Sequence, residues 1–589
     1  MKAGPPAGGH EGGAAGGTEV DTVDDEDPRA DLRWGTVPRL LGDVAERIPE
    51  ADALVDPAAG IRWSFAELAT RAEQLTRALM GRGVARGDRV AIWAPNSASW
   101  AVAALGTLGA GAVLVPLNTR FKGAEAAYIL RTAGVRTLCT VRGFLGIDYP
   151  ALLAPEDLGS ELREVVVLEG EAASADAGLG AAGIDLLRLD DYLAAGAGVT
   201  AEEAAARAAS VGPGDLSDLI FTSGTTGRPK GAMSTHAQTL RTFGTWASIV
   251  GLRQGDRYLV VNPFFHTFGY KAGLLASLIT GATVHPEAVF DPRRVLDRIE
   301  AERISVLPGP PSLYQSLLAA PDRAGRDLSS LRLGVTGASV VPVELVRAMA
   351  ADLGFETVLT AYGLTESCGT VTMCRRSDPP EVVAGTSGRA IPGLEVRIVG
   401  IDPDASAAPP GEPLPAGQAG EIVVRGYTVT PGYWDDPGAT AEAIDAAGWL
   451  HTGDIGVMDR EGNVAVTDRL KDMYVVGGFN AYPAEVEAAL RRCPGVTGVA
   501  VVGVPDGRLG EVGCAVLVGP PEGEAPQSFA LRVLDWAAGE MANYKAPRTA
   551  LVVAELPMNA SGKVLKRELR ALAASPAPGT EVYERRESR

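Results

Sequence analysis

Cysteine is scarce in this chain, and its placement excludes the structures that depend on it. Only five cysteines occur among 589 residues, widely scattered and without a C-x-x-C pair. An odd number of scattered thiols indicates neither a disulfide framework nor a zinc knuckle. The first residues are rich in glycine, alanine and proline and contain no apolar segment, so we expect no signal peptide.

Long hydrophobic runs are also missing. Residues 100–117, within the longest uncharged stretch, contain three glycines and a proline. We therefore expect a buried helix followed by a buried strand there, and no transmembrane segment. Without a span or a leader, the sequence predicts a cytoplasmic protein.

The chain has fewer basic residues than acidic ones. The chain has 54 Lys and Arg against 73 Asp and Glu, a formal net charge of −19. Such a surface repels phosphate backbones, so we expect no nucleic-acid partner, and an anionic small substrate would need its own cationic cluster. With 46% apolar and 22% charged residues, a large core is available.

The apolar residues are arranged in short runs that alternate with helical patterns. Each run ends in a loop that contains Gly or Pro, which is typical of an α/β fold with wound, largely parallel β-sheets flanked by helices. In such folds ligands bind beside the carboxyl ends of the strands, so these loops are the candidate site. The predicted strands include residues 89–93, 218–222, 258–261, 304–307, 331–335 and 357–360.

Composition also divides the chain. Residues 1–29 and 574–589 have compositions that favour disordered tails. Between them we expect a large N-terminal domain over residues 30–470 and a small α+β C-terminal domain over residues 471–573, because the pattern of elements changes after the hinge-like segment that ends at Asp472.

One loop is rich in groups that bind phosphate. Its glycines let backbone N–H groups converge, its hydroxyls add donors, and Lys230 adds charge, which together suit a polyphosphate. It lacks the Walker A spacing, and the alternative is an ordinary surface turn. The segment, directly after a predicted strand, reads Thr222-Ser223-Gly224-Thr225-Thr226-Gly227-Arg228-Pro229-Lys230-Gly231.

Four later segments join this loop in a familiar order. They are Tyr362-Gly363-Leu364-Thr365-Glu366, Thr452-Gly453-Asp454, Asp468-Arg469-Leu470-Lys471-Asp472 and Asn559-Ala560-Ser561-Gly562-Lys563. Together they resemble the motifs of the adenylate-forming enzymes, which include acyl- and aryl-CoA ligases, adenylation domains of peptide synthetases and firefly luciferase. The resemblance covers about residues 32–572. It implies an N-terminal adenylation domain with a β-barrel-like subdomain and a mobile C-terminal domain.

The resemblance implies a reaction in two steps. A small carboxylic acid and ATP give acyl-AMP and pyrophosphate, and coenzyme A then displaces AMP to form a thioester. The expected cofactors and co-substrates are ATP, Mg²⁺ and coenzyme A. Both reactants of the first step are anionic, so the site needs cations at the α-phosphate and a metal on the polyphosphate.

The resemblance also assigns ATP-binding roles. Glu366 is the catalytic magnesium ligand, with the Thr222 hydroxyl near the same ion, although alone Glu366 would be taken for a first-turn acid of a helix. Asp454 holds the ribose hydroxyls, Arg469 contacts ribose or phosphate, and Tyr362 stacks on the base. The full ATP-binding set is Thr222, Ser223, Gly224, Thr225, Thr226, Gly227, Lys230, Gly337, Ala338, Ser339, Ala361, Tyr362, Gly363, Thr365, Asp454 and Arg469.

The C-terminal domain is expected to serve both steps. By resemblance, Lys563 bridges the substrate carboxylate and the α-phosphate in the first step. Lys471 is the hinge about which the domain then rotates, presenting Gly477 and Gly478 to the pantetheine arm. The alternative for the two glycines is a plain hairpin turn.

The acyl pocket is expected around His266, which by resemblance is a catalytic residue beside the acyl carboxylate. The run from residue 264 to 273 looks closest to actinobacterial ligases that activate the bicyclic propionate left from steroid rings. In that interpretation Lys271 donates to a ring ketone; the alternative is that it reaches solvent. The predicted pocket residues are Phe265, His266, Tyr270, Lys271, Gly309, Val335 and Thr336.

Other functions fit parts of the same pattern. Within the family, the chain could be a medium- or long-chain fatty acid–CoA ligase, or an acyl-AMP ligase that loads a carrier protein. Light-producing oxygenation also shares these motifs. In a different class, the chain could be a non-catalytic nucleotide or acyl sensor, and either kind of protein could form a homo-oligomer.

Overall fold

The structure is a computed structural model that describes residues 29–170, 177–223, 229–337, 341–401, 411–476, 479–558, 564–576 and 581–585. The strands are β1 Asp52–Asp56, β2 Ile61–Ser64, β3 Arg89–Trp93, β4 Val113–Pro116, β5 Val135–Phe144, β6 Ile147–Asp148, β7 Glu164–Glu169, β8 Asp185–Arg188, β9 Leu216–Ser223, β10 Pro229–Thr235, β11 Arg257–Val260, β12 Thr283–Pro286, β13 Leu333–Gly337, β14 Thr357–Tyr362, β15 Thr372–Met373, β16 Arg389–Ala390, β17 Leu394–Val399, β18 Ala419–Gly426, β19 Leu450–Met458, β20 Val464–Arg469, β21 Tyr474–Val476, β22 Phe479–Ala481, β23 Val499–Asp506, β24 Gly510–Val518, β25 Thr549–Val553 and β26 Val582–Glu584.

The helices lie between these strands. The α-helices are α1 Ala30–Trp34, α2 Val37–Arg47, α3 Phe65–Gly81, α4 Ala98–Gly109, α5 Gly123–Ala133, α6 Tyr149–Leu153, α7 Ala177–Ala181, α8 Leu189–Ala194, α9 Ala201–Ala209, α10 His236–Val250, α11 Ala276–Thr280, α12 Pro292–Glu302, α13 Pro311–Ala319, α14 Val343–Asp352, α15 Pro380–Gly385, α16 Pro437–Ala443, α17 Pro483–Leu490, α18 Pro526–Glu540 and α19 Lys566–Ala574. A π-helix spans Phe268–Leu275, and short 3-10 helices include Thr365–Ser367 and Leu470–Asp472.

The largest sheet has the strand order β10-β9-β4-β3-β5-β7-β8, with β6 paired to β5. Its strands run parallel except at the β9–β10 hairpin and the β5–β6 hairpin. The uncharged stretch supplies α4 and then β4, as predicted from its glycines and proline. Gly106 of α4 lies against α3 so closely that a Cβ there would be 2.8 Å from the Leu75 Cβ.

Two further sheets continue the wound architecture. Their strand orders are β11-β12-β1-β2 and β13-β14-β15-β16. Most predicted strands are present within a few residues of their expected bounds. Residues 304–307 differ, because only Val306 forms a bridge, to Tyr258 and Leu333, before Pro308 removes the next backbone donor. These sheets and their helices confirm the predicted wound α/β class.

The remaining parts of the chain form smaller units. Strands β17 to β20 form an antiparallel sheet in chain order, which is the subdomain expected to resemble a barrel. After residue 473, strands β21 to β26 and helices α17 to α19 pack on apolar cores of their own. No helix in the described ranges is long and apolar enough to cross a bilayer.

The end of the chain corrects one expectation. A disordered tail was predicted from residue 574, but β26 pairs antiparallel with β25, and Arg585 forms an ion pair with Asp535 at 3.0 Å. The physical reason is the open edge of β25, which a Val-Tyr segment of high β propensity can extend. Residues 1–28 of the predicted N-terminal tail lie outside the described residues.

We predict that Gly388 is required for the packing of β16 and β20. Its φ is +68°, and a Cβ there would lie 2.0 Å from the Met373 carbonyl carbon. Gly417 has a φ of +87° with open space around it. Gly417→Ala should cost about 1–2 kcal/mol of unfolding free energy for the left-handed backbone alone. Gly388→Ala should cost about 1–3 kcal/mol more, because the backbone must also move. Equal shifts of the urea midpoint in the two variants would contradict this prediction.

Candidate active site

The described parts of the predicted nucleotide-binding segments lie on or directly after strands of three different sheets. Strand β9 ends in the phosphate loop, β14 ends at Tyr362, and the 3-10 helix that carries Glu366 follows directly. Asp454 reaches the same region from β19 of the antiparallel subdomain. The site is therefore assembled from separate sheets, as expected for a wound α/β fold.

Glu366 makes hydrogen bonds to two other segments of the chain. Its Oε1 accepts hydrogen bonds from the Thr222 hydroxyl at 3.1 Å and from the Tyr433 hydroxyl at 2.8 Å. Its backbone carbonyl accepts a hydrogen bond from the Thr430 N–H at 2.8 Å. The carboxylate is thus held in a defined orientation at the start of the phosphate loop.

Tyr433 was not identified from the sequence. It lies in a Pro-Gly-Tyr-Trp segment after β18 and forms an isolated bridge with Ala232 of β10. Burial first, and then the Glu366 carboxylate, raises the pKa of Tyr433, so its hydroxyl remains a donor. The Lys230 ammonium lies 5.3 Å from the centre of its ring, within the range of a cation–π contact. The sequence signal that could have indicated Tyr433 is its position beside the turn that leads into α16.

A second group surrounds Asp454, which is 3% exposed. Its Oδ2 accepts the Tyr362 hydroxyl at 2.7 Å, and its Oδ1 lies 2.9 Å from the Arg469 Nε. The register of β19 and β20 places Asp454 opposite Arg469. Burial, followed by the Asp454 charge, raises the pKa of Tyr362 well above its usual value. Tyr362, predicted to stack on adenine, is therefore oriented through its hydroxyl.

Glycines bring backbone segments close together beside this group. Gly337 pairs with Ala361 across β13 and β14, and a Cβ on Gly337 would lie 2.7 Å from the Ala361 carbonyl oxygen. A Cβ on Gly363 would lie 2.3 Å from the Gly369 carbonyl oxygen. Thr365 begins the 3-10 helix of Glu366. These close approaches form one wall of the site from backbone.

His266 lies at the entrance to the π-helix and is exposed. Its Nδ1 accepts a hydrogen bond from the Phe268 N–H at 3.3 Å, which assigns the proton of the neutral ring to Nε2. Crowding by surrounding protein atoms lowers the pKa of the imidazole. The neutral ring therefore carries its donor at Nε2.

The other predicted acyl-pocket residues divide into two groups. Val335 and Thr336 are buried on β13, and the Gly309 N–H donates to the Val335 carbonyl at 3.0 Å. Phe265 is half-buried. Tyr270, in contrast, is fully buried and packs edge-on against Trp100 with ring centroids 5.6 Å apart.

Lys271 also corrects the sequence-based expectation. Its side chain is 0% exposed and pairs with Asp218 at 2.9 Å, so it does not reach solvent. Its ammonium also contacts the Ser234 hydroxyl at 2.9 Å and the Cys368 sulfur at 3.5 Å. An ammonium has three N–H donors, so none is left for a ring ketone. The π-helix turns Tyr270 and Lys271 into the core rather than onto the wall of an acyl pocket.

Contacts also cross the predicted hinge. Asp468 is 8% exposed, and its Oδ2 accepts the Ala484 N–H in the first turn of α17 at 2.7 Å. Burial raises the pKa of this carboxyl group. Beyond the hinge, Asp472 pairs with Arg570 at 2.8 Å. The start of the C-terminal unit is thus held on both sides of Lys471.

Several predicted site residues lie outside the described residues. These are Gly224, Thr225, Thr226, Gly227, Ala338, Ser339, Gly477, Gly478 and Lys563, and the side chains of Ser223 and Lys471. In the described ranges, no group of three or more His, Cys, Asp or Glu side chains is arranged to hold a metal. A single carboxylate with an adjacent hydroxyl nevertheless suits Mg²⁺, which takes one or two carboxylates plus phosphate and water oxygens.

Family models match most of the chain. An AMP-binding enzyme model matches residues 41–434, and an AMP-binding enzyme C-terminal domain model matches residues 485–563. The chain belongs to the AMP-binding enzyme family. The predicted adenylate-forming family is therefore confirmed.

Individual relatives are similar over nearly their whole length. The chain is 47% identical over 535 residues to the 3-[(3aS,4S,7aS)-7a-methyl-1,5-dioxo-octahydro-1H-inden-4-yl]propanoyl:CoA ligase of Rhodococcus jostii, covering 91% of this chain and 98% of the relative. It is 48% identical over 542 residues to the ligase of the same name from Mycobacterium tuberculosis, covering 92% and 99%. The crystal structure of the anthranilate CoA ligase AuaEII with anthranoyl-AMP matches with a TM-score of 0.78 at 28% identity, covering 92% of this chain and 97% of that one. The predicted resemblance to the bicyclic-propionate ligases is confirmed.

We predict that His266 is neutral at pH 7 and remains so below the ordinary histidine pKa of about 6.5. The reason is that surrounding protein atoms reduce the solvation of the charged imidazolium more than that of the neutral ring. The measurement is an NMR titration of labelled histidine, with the His266 resonance identified by its loss in His266→Gln. A midpoint at or above the ordinary value would contradict the prediction.

Proposed function

We propose that this protein is an ATP-dependent, AMP-forming acyl-CoA ligase for a bicyclic propionate. The observation that carries the proposal is the Thr222–Glu366 hydrogen bond, which places a carboxylate where the phosphate loop begins. The family membership and the 47–48% identical indanedione-propanoyl:CoA ligases support it. The first step joins the acid to the α-phosphorus with loss of pyrophosphate, and the second exchanges AMP for the thiol of coenzyme A.

Asp454 and Arg469 are proposed to hold the ribose of ATP. The Asp454 carboxylate has two oxygens and could accept both ribose hydroxyls if the Tyr362 hydroxyl and the Arg469 guanidinium rearrange around it. Arg469 is already 2.9 Å from that carboxylate and is 38% exposed, so its remaining donors can reach a ribose or phosphate oxygen. Backbone at Gly337, Ala361 and Gly363 would form the adenine slot.

Glu366 and Thr222 are proposed to hold Mg²⁺ together with phosphate oxygens. When bound, this ion would neutralise charge on the polyphosphate. The Tyr433 hydroxyl orients the Glu366 carboxylate, and Lys230 adds positive charge beside the same loop. These contacts support a triphosphate site beside Thr222 at the end of β9.

Lys563 is proposed as the catalytic ammonium of the first step. It would stabilise the charge that develops between the substrate carboxylate and the α-phosphate. The proposed C-terminal domain, residues 471–573, would then turn about Lys471 so that Gly477 and Gly478 approach the pantetheine arm. The two family-model matches end and begin on either side of this hinge, at residues 434 and 485, which supports two units.

The acyl pocket is proposed to lie between His266 and the end of β13. The neutral His266 Nε2–H can donate to the acyl carboxylate, and the Thr336 hydroxyl is buried without a partner among the described residues. A ketone of a bicyclic acid could accept from that hydroxyl. Lys271 is not proposed for this role, because its ammonium already contacts Asp218, Ser234 and Cys368.

A panel of carboxylic acids tests the proposed substrate. With ATP, Mg²⁺ and coenzyme A, the purified protein should form a thioester fastest with a bicyclic diketo-propionate, compared with medium- and long-chain fatty acids and aryl acids. A preference for straight chains would overturn the substrate class. Acyl-AMP formation without thioester would point to loading of a carrier protein, and no carboxylate-dependent exchange of pyrophosphate into ATP would point to a sensor.

We predict that Lys563→Ala slows acyl-adenylate formation by about a hundredfold or more, because one charge-stabilising donor is worth that much in a transition state. Thioester formation from pre-made acyl-AMP should remain close to the wild-type rate. Lys566→Ala is the matched control, because the Lys566 ammonium pairs with Glu487 at 3.0 Å within the C-terminal unit. Equal loss of both steps in Lys563→Ala would overturn the assignment.

A further inference from the structure

A closed group of buried polar side chains lies between β9, β10 and the π-helix. We call it the Lys271 cluster; each member is at most 2% exposed, and they are Lys271, Asp218, Ser217, Ser234, Thr239 and Cys368. Nothing in the chemistry proposed above uses these groups. Most polar atoms that are buried this deeply in proteins have a partner.

The contacts of the cluster form a ring. Lys271 contacts Asp218 at 2.9 Å and Cys368 at 3.5 Å. The Ser217 hydroxyl donates to Asp218 Oδ2 at 2.7 Å and lies 3.3 Å from the Thr239 hydroxyl. Thr239 closes the ring with a 3.8 Å contact to the Cys368 sulfur. Lys271 donates in addition to Ser234 of β10.

The ring joins the segments that carry the site. Asp218 lies on β9, four residues before Thr222, and Cys368 comes two residues after Glu366. The same two segments are therefore connected twice, directly by Thr222 and Glu366 and indirectly through Lys271. Two separated attachments fix both the distance and the orientation of the Glu366 turn relative to the strand.

The turn that carries Glu366 ends in an unfavourable backbone conformation and needs contacts from other parts of the chain to hold it. Cys368 has a φ of +54°, a left-handed conformation that is unfavourable for a side chain other than glycine. The Lys271 ammonium contacts the sulfur of this residue, so the strained end of the turn is held by the cluster. Lys271 itself lies on the π-helix that begins two residues after His266.

A buried ion pair is a poor way to gain stability. Removing two charges from water costs about as much as their attraction returns, and apolar replacements of similar size are often as stable. Burial alone would lower the pKa of Lys271, but the Asp218 carboxylate and the Cys368 sulfur raise it, so the ammonium is retained. The Lys271–Asp218 ion pair is therefore better explained by the orientation it gives to the attached segments than by a gain in folding free energy.

We infer that Lys271 is a positioning residue: through Asp218 and Cys368 it sets Glu366 against Thr222 for the binding of Mg²⁺ and ATP. It touches neither the metal nor the substrate. Because this inference rests on the proposed function, its readout is the dependence of adenylation on magnesium rather than activity alone.

The test is the neutral double variant Lys271→Met/Asp218→Asn. It leaves no unpaired buried charge, so its thermal midpoint should stay close to that of the wild type. The Mg²⁺ concentration for half-maximal pyrophosphate exchange should rise about tenfold, the usual lower effect of losing a group that orients a metal ligand. Thioester formation from pre-made acyl-AMP should be retained. Cys368→Ala, which cuts only the link to the Glu366 turn, should give a smaller shift of the same sign.

The buried pair Arg332–Asp256 provides the matched control. It is 12% and 5% exposed and lies before β13, at the opposite end of that strand from the site. Arg332→Met/Asp256→Asn should leave the magnesium dependence unchanged, whatever it does to stability. An unchanged magnesium dependence in both the double variant and Cys368→Ala overturns the inference. A wild-type protein without carboxylate-dependent exchange overturns the proposed function instead, so the two failures are distinguishable.

Discussion

The hydrogen bond between Thr222 and Glu366 joins parts of the chain that are 144 residues apart. Strand β9 brings one partner from the largest sheet, and the turn after β14 brings the other from a second sheet. The Thr430 N–H adds the antiparallel subdomain through the Glu366 carbonyl. A single glutamate thus connects segments from three sheets, and a small shift of any of these sheets would displace its carboxylate.

Positive charge is distributed in keeping with an acidic protein that handles anions. The chain as a whole carries −19, yet the strand ends gather Lys230 and Arg469 around the place where phosphates are expected. Each is held by a partner in the site, one over a tyrosine ring and one on an aspartate. The Glu366 and Asp454 carboxylates lie beside these two side chains, so a triphosphate would need the proposed magnesium ion in addition to them.

Much of this arrangement could be predicted from the sequence because motifs and strand ends are local properties. The wound class and the order of α4 and β4 follow from such signals, and the proximity of Thr222 to Glu366 was expected from the family motifs. Tyr433 could not be found, because its contact with Glu366 depends on how β18 returns to β10. Lys271 was assigned to a ring ketone from the family resemblance, which did not reveal its ion pair with Asp218 of β9. Strand β26 was not predicted because it is stabilised by pairing with β25, which is distant in the sequence.

The Asp468 contact with Ala484 has a consequence for the proposed rotation about Lys471. Its two atoms lie on opposite sides of the pivot, so each turn of the C-terminal unit must release this helix-capping bond and later restore it. Such a bond is worth about 1 kcal/mol, or roughly a fivefold bias in population. If the proposed rotation takes place, this bond would favour the arrangement seen here and would still be weak enough for thermal motion to break it.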